Sequence, residues 1–286
     1  QIKEDEVTKE CIDREYALLI EDEQQWYKKT TALGFKNIPK VFSYEPFKMK
    51  RIHGEQCHKA KDIWSKNKKK EVLKKVCETL NSLHELREIP SNNQHMKDMY
   101  EIKTLKRVEM VRRILPFMEY SVLSINNKEY ENPFHKSRKE KFINKVRSLQ
   151  TGTFNIIHGD PTFNNFIVSA DNTITLYDPR GSFSDTKIFG DKRYDWAKLY
   201  YSVVGNYDSV NEKRFEIEYN ENKISYNIDS NKWEFLEEEL IKLSRVNKKE
   251  ILLINCLIWF SLCGYLRDYD SILMAYVKGV ELWQRI

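Results

Sequence analysis

Apolar and polar positions follow three patterns along this chain. Short apolar runs between turn-forming residues predict strands at 6–10, 38–43 and 47–52, around Ile156-Ile157, at 166–168 and at 173–177. Apolar residues at three- and four-residue steps predict helices at 17–30, from about 62 to 86, and at 99–117, 136–149, 194–204, 233–243, 248–264 and 268–283. The first carries Leu18, Leu19, Trp26 and Tyr27 near helical spacing. The second carries Val72, Leu73, Val76, Leu80 and Leu83, and Pro90 stops it. The third places Met99, Ile102, Leu105, Val108 and Leu115 on one side, with Pro116 at its end. Strict alternation at 215–219 and 224–228, around the turn residues 220–223, predicts a hairpin. Residues 119–134 read as polar and turn-rich.

The stretch from Ile156 to Asp178 concentrates the chemistry. A strand enters a polar turn holding His158-Gly159-Asp160, and Asn165 follows five residues after the acid. A second strand begins there, Asp171-Asn172 gives a hairpin signal, and the third strand ends on Asp178. Pairing the last two strands sets Asn165 beside Asp178, so two carboxylates and an amide converge. Phosphoryl transfer needs such a set: one acid to orient a hydroxyl, and oxygen ligands to hold magnesium against phosphates. Asp160 is the candidate catalytic residue, and Asn165 and Asp178 are the candidate Mg2+ ligands.

His158-Gly159-Asp160, then Asn165, then Asp178 resembles the catalytic loop and metal motif of the aminoglycoside phosphotransferase and choline kinase family, small-molecule kinases related to protein kinases. The string 178–183 and the string 190–199 are similar to a bacterial branch linked to surface-polysaccharide pathways. The resemblance implies an α+β, bilobal, protein-kinase-like fold with a small, incomplete β-rich lobe at 1–53 and a large helical catalytic and substrate-binding lobe at 54–286. It implies ATP as the phosphoryl donor. Lys9 would hold its phosphates, paired with a helix glutamate, Glu23 or alternatively Glu21. Met49, Lys50, Arg51 and Ile52 would form the hinge edge that meets adenine. Asp195, near a helix start, would brace the catalytic loop, and His158 would support it. Arg180 reads either as a phosphate or substrate contact or as a surface ion pair. The family begins with two strands and a phosphate-covering loop. Here eight residues precede Lys9, none of them glycine, and the first is Gln1, so either those strands have been removed or the chain continues upstream.

Composition narrows the alternatives. Hydrophobic residues make up 41% of 286, enough for a sizeable core. A net charge of +5 is spread among acids, and the lysine run at 66–70 reads as a solvated helix face. There is no concentrated basic stripe with stacking aromatics, so a nucleic-acid partner is not expected. The longest apolar run, 251–266, is short for a membrane span and interrupted by Asn255, so it reads as a buried helix. Five cysteines without paired spacing fit a reduced, cytoplasmic setting, and the six histidines are scattered. The expected partner is a small molecule bearing a hydroxyl: a sugar, amino alcohol or aminoglycoside-like compound. Alternatives are a non-catalytic nucleotide-binding or scaffold protein that kept the fold, and a metal-dependent hydrolase. The aromatics of the last three helices read as core or as pocket wall.

Overall fold

The computed structural model describes residues 2–10 and 17–286. Strand β1 (Glu6–Lys9) precedes helix α1 (Ala17–Ala32) and strands β2 (Val41–Tyr44) and β3 (Phe47–Lys50). β3 is central and antiparallel to both neighbours, and its register sets Lys9 opposite Phe47 and Glu6 opposite Lys50. α1 buries Glu23, Trp26, Tyr27 and Thr30, the i, i+3, i+4, i+7 face of an amphipathic helix. Leu18 lies off that face, and Leu19 lies on its line one turn earlier, yet both are exposed, so the buried stripe belongs to the second half of the helix.

The chain leaves this sheet through Gly54, beside an isolated bridge between Glu55 and Val168. A Cβ on Gly54 would sit 2.4 Å from the Val168 carbonyl oxygen, so only glycine lets the two backbones meet here. Helix α2 (Lys66–His84) follows, capped by the Ser65 hydroxyl, and buries the expected stripe from Val72 to Leu83. Its lysine run is not wholly solvated. Lys69 is buried, and its Nζ donates to the carbonyls of Lys61 at 2.7 Å and Lys232 at 2.9 Å.

After β4 (Glu88–Pro90) come α3 (Asn93–Met96), a π-helical turn (Lys97–Ile102) and α4 (Lys103–Val111). The single helix expected at 99–117 is therefore wound wider at its start and ends early. The π turn shifts the side-chain register, which leaves Ile102 exposed instead of on the buried side. Residues 119–134, read as turn-rich, hold a hairpin of β5 (Val122–Ile125) and β6 (Lys128–Glu131). Asn126 and Asn127 both have positive φ, as a type I′ two-residue turn requires.

Helix α5 (Lys139–Arg147) leads into β7 (Thr153–Ile156), then the hairpin of β8 (Phe166–Val168) and β9 (Ile174–Leu176), and β10 (Phe189–Gly190). β7 lies between β4 and β10 and does not pair with the hairpin that follows it. Helices α6 (Lys192–Val203) and α7 (Tyr207–Asn211) precede the hairpin β11 (Phe215–Asn220) and β12 (Lys223–Ile228), which joins β5 and β6 in a four-stranded sheet. Helices α8 (Glu237–Ser244), α9 (Lys248–Cys263) and α10 (Tyr269–Trp283) complete the body.

α9 is the core helix. It is buried along almost its whole length and packs on α4, α6 and α10. Asn255, which interrupts its apolar run, donates from Nδ2 to the Ala197 carbonyl at 2.8 Å and fastens α9 to α6. Among the described residues no helix is long and apolar enough to cross a membrane. Cys57, Cys77, Cys256 and Cys263 are buried free thiols, and Cys11 lies outside the described residues. Trp233, Trp259, Phe260 and Trp283 belong to the core, whereas Tyr265 is exposed at the mouth of the site.

Candidate active site

Three elements set the geometry, beginning with the β8–β9 hairpin. It pairs Phe166 with Leu176, and one step beyond, the Tyr177 N–H donates to the Asn165 carbonyl at 3.0 Å. Asn165 therefore lies beside the residue preceding Asp178. Its side-chain Nδ2 donates to the Asp160 carbonyl at 2.7 Å and to Asp160 Oδ2 at 3.2 Å. The amide oxygen thus faces away from Asp160. Asp178 sits in the left-handed region, φ 58°, which aspartate tolerates better than most residues, and its carboxylate is 55% exposed.

Helix α6 holds the loop from His158 to Phe163 with one face. Asp191 caps it by accepting from the Arg193 N–H, so Asp195 lies a full turn inside and does not serve as the cap. Asp195 is fully buried. It accepts the N–H of His158 at 2.8 Å and of Gly159 at 2.8 Å, and it holds the His84 ring at 2.9 Å. One turn on, Lys198 Nζ lies 2.9 Å from Asp160 Oδ1. A further turn on, the Ser202 hydroxyl accepts the Phe163 N–H at 3.1 Å. His158 supports the loop from inside: its Nε2 meets the Tyr177 carbonyl at 3.0 Å, and its Nδ1 accepts the Asp160 N–H at 3.2 Å. That pattern places the ring proton on Nε2, and burial keeps the imidazole neutral by lowering its pKa. Gly159, at φ 82°, passes so close to Arg180 that a Cβ would lie 2.9 Å from the arginine Cβ.

Helix α1 carries the third set. Lys9 Nζ contacts Glu23 at 2.6 Å and Asp178 at 2.5 Å, so of the two candidate glutamates the structure brings Glu23 to Lys9. On the same helix face Trp26 donates to the Ile157 carbonyl at 2.7 Å, and Tyr27 Oη accepts the Asp178 N–H at 3.3 Å. Burial pulls Glu23 up to about 7, whereas the two carboxylates hold Lys9 above its usual range against burial. We take the pair as ionised, because Lys9 touches both acids and one of them, Asp178, is open to solvent.

Asp160 is the focus of the electrostatics. Burial would raise its pKa, but the Lys198 ammonium and then the Arg180 guanidinium outweigh burial and hold the carboxyl below its ordinary range. Asp160 is thus a carboxylate at neutral pH. Behind it, Asp208 accepts from Asn164 Nδ2 at 2.9 Å, and burial pushes its pKa up to about 7. An unfolded carboxyl titrates near 4. Between about pH 4 and 7 the folded chain therefore binds the extra proton, and stability from this group declines as pH rises through that window. Asp208→Asn is expected to flatten that decline, as thermal unfolding at pH 5 and pH 8 would measure. An equal drop in both proteins would assign the trend elsewhere.

Two cavities meet at Asp160. One, of about 550 Å³, is lined by Lys9, Leu19, Ile20, Glu23, Asp178 and Pro179. The other, of about 310 Å³, runs between α4, α6 and α9. Asp160, Arg180 and Tyr265 line both. Met49, Lys50, Arg51 and Ile52, expected at the adenine edge, do not line the first cavity. Met49 is buried in the core, and the N–H groups of Lys50 and Arg51 donate to the carbonyls of Lys40 and Asp5. Along the β1–β3 register Lys50 lies three residues from the partner of Lys9, roughly 10 Å away.

Neither a protein-family model nor a curated protein matches the sequence. Solved structures do match. The choline kinase LicA from Streptococcus pneumoniae is 13% identical over 100% of this chain and 88% of its own, with a TM-score of 0.51. The ADP-bound aminoglycoside phosphotransferase APH(2'')-Ib is 13% identical over 98% and 86%, with a TM-score of 0.54. The gentamicin complex of APH(2'')-IIa is 15% identical over 99% and 86%, with a TM-score of 0.53. This chain has the fold of those small-molecule kinases. The kinase fold accounts for the α+β architecture, with a small sheet beside a helical body and a hairpin between them that carries Asn165 and leads to Asp178.

Sequence reasoning missed Lys198. Its signal was present as the polar stripe Asp195, Lys198, Ser202 on an otherwise apolar and aromatic helix. It missed Lys103 and Arg107 too, because α4 reads as an ordinary charged surface helix until the π turn is known.

Proposed function

We propose that this chain transfers the γ-phosphoryl group of ATP to a hydroxyl group of a small molecule. The observation that carries the reading is the meeting of two cavities at Asp160, one with a Lys9–Glu23 pair and Asp178, the other without them. The triphosphate occupies the larger cavity, with Lys9 on its phosphates. The acceptor occupies the smaller. Asp160, fixed by Lys198 and Asn165, takes the proton of the acceptor hydroxyl as its oxygen bonds to the γ-phosphorus and the bond to the departing ADP breaks. Residues 1–53 and 54–286 serve as the two lobes.

The donor set fits magnesium. Asn165 commits its amide nitrogen to Asp160 and leaves an amide oxygen, and Asp178 adds a carboxylate, both hard oxygen ligands. Among the described residues no group of three or more His, Cys, Asp or Glu side chains could hold a metal alone; Asn165 and Asp178 would hold the ion together with phosphate oxygens of the nucleotide. When bound, the ion supplies charge neutralisation at the phosphates. The testing experiment is ADP release by the full chain with ATP, Mg2+ and a panel of hydroxyl compounds. Release is expected to require an acceptor, and release at the same rate without one overturns the reading.

A further inference from the structure

The smaller cavity is strongly basic. Lys103, Arg107, Arg180 and Lys198 line it, and among the described residues Asp160 is the sole acid on its wall. Lys198 is neutralised by Asp160 at 2.9 Å, and Arg180 also lines the larger cavity, where it can serve a phosphate. Two charges are then left over. Lys103 and Arg107 line the smaller cavity but not the larger. Among the described residues neither has a carboxylate within ion-pair distance. Lys103 Nζ reaches Met99 Sδ at 3.4 Å, a weak acceptor, and Arg107 donates to the Ser261 carbonyl at 3.1 Å. The two cations stand four residues apart on α4, on one helix face, directly after the π turn. The fully buried Tyr201 hydroxyl lines the same cavity and lacks a hydrogen-bond partner among the described residues.

Like charges are costly to gather unless something compensates them. Burial first, and then Arg180, Arg107 and Lys198, push the Lys103 ammonium well below its ordinary pKa. A cationic acceptor such as an amino alcohol or amino sugar would add to this repulsion, and among the described residues the wall offers it one carboxylate, already bound to Lys198. An anionic acceptor would supply the missing counter-charge and give Tyr201 a partner.

We infer that the phosphoryl acceptor is an anionic hydroxyl compound, a sugar acid or a phosphate ester, whose carboxylate or phosphate is held by Lys103 and Arg107. This rests on the phosphotransferase reading for what happens to the hydroxyl, but not for the anion site itself.

The test separates the two. Thermal shift and calorimetry on the full chain would compare glucuronate and glucosamine with glucose, from which each differs at one substituent, and glycerol 3-phosphate against glycerol. A parallel arm would use ATP with Mg2+. The expected result is binding of the anionic members only, with glucuronate and glycerol 3-phosphate distinguishing a carboxylate from a phosphate site. Lys103→Gln and Arg107→Gln should each weaken that binding roughly tenfold to a hundredfold. Their ATP response should stay intact, which also shows that they fold. Equal or tighter binding of glucosamine, no binding of either anionic probe, or anion binding untouched by both variants overturns the inference. Anion binding through Lys103 and Arg107 in a chain that ignores ATP and Mg2+ would keep the inference and overturn the kinase reading.

Discussion

Replacing Asp160 by asparagine is expected to lower phosphoryl transfer by roughly 10²–10⁴-fold, with nucleotide binding near that of the unaltered chain. The substitution keeps the shape of the side chain and the loop bonds of its backbone, but an amide cannot take the proton of the acceptor hydroxyl. It also leaves Lys198 buried beside a neutral group. Lys198 is held above its usual range chiefly by the Asp160 charge working against burial, so losing that charge favours its neutral form. Initial rates of ADP formation at saturating ATP and acceptor would measure the loss, and thermal shift with ATP and Mg2+ would check that the fold and the larger cavity remain. An Asp160→Asn chain turning over within threefold of the original would remove Asp160 from the chemistry.

The second large effect is on stability. Asp195→Ala is expected to destabilise the chain by about 3–5 kcal/mol, because it strips the partners from two backbone N–H groups and one imidazole in a site with no solvent access. For a chain of this size that lowers the melting midpoint by roughly 10 °C. Gly159 lies against Arg180 and His158 bonds to the Tyr177 carbonyl, so a loosened loop would disturb both sides of the site. Differential scanning calorimetry of Asp195→Ala would report the change. A midpoint within 2 °C of the original would mean that the loop holds itself in place without this carboxylate.

These two residues differ in how plainly the sequence announced them. Asp160, Asn165 and Asp178 are close in the chain and are joined by a hairpin whose turn is marked by Asp171-Asn172, so their meeting follows from local pairing. Lys9 and Glu23 came from the family resemblance, with Glu21 left open, and the helix face is what the structure adds. Glu23 precedes Trp26 and Tyr27 by three and four residues and shares their buried side. Asp195 was legible as a brace but not as an interior residue, because Asp191 stands four residues earlier and is an equally good cap by composition. The β5–β6 hairpin was hidden by Lys128, Glu129 and Glu131, which give that strand no clear apolar face. The basic wall could not be read at all. It depends on the π turn that rotates Lys103 and Arg107 together, and on α4, α6 and α9 packing around one cavity. At the expected hinge edge, 49–52, the strand pattern was legible but not the partners of its backbone donors: those of Lys50 and Arg51 are committed to Lys40 and Asp5.

The most direct measurement of the central claim follows the phosphorus itself. In 31P NMR of the full chain with ATP, Mg2+ and glucuronate or glycerol 3-phosphate, the account predicts ADP and a new phosphate-ester signal growing in equal amounts, and neither in the Asp160→Asn chain. Inorganic phosphate appearing in place of the ester, at a rate indifferent to the acceptor, would contradict it.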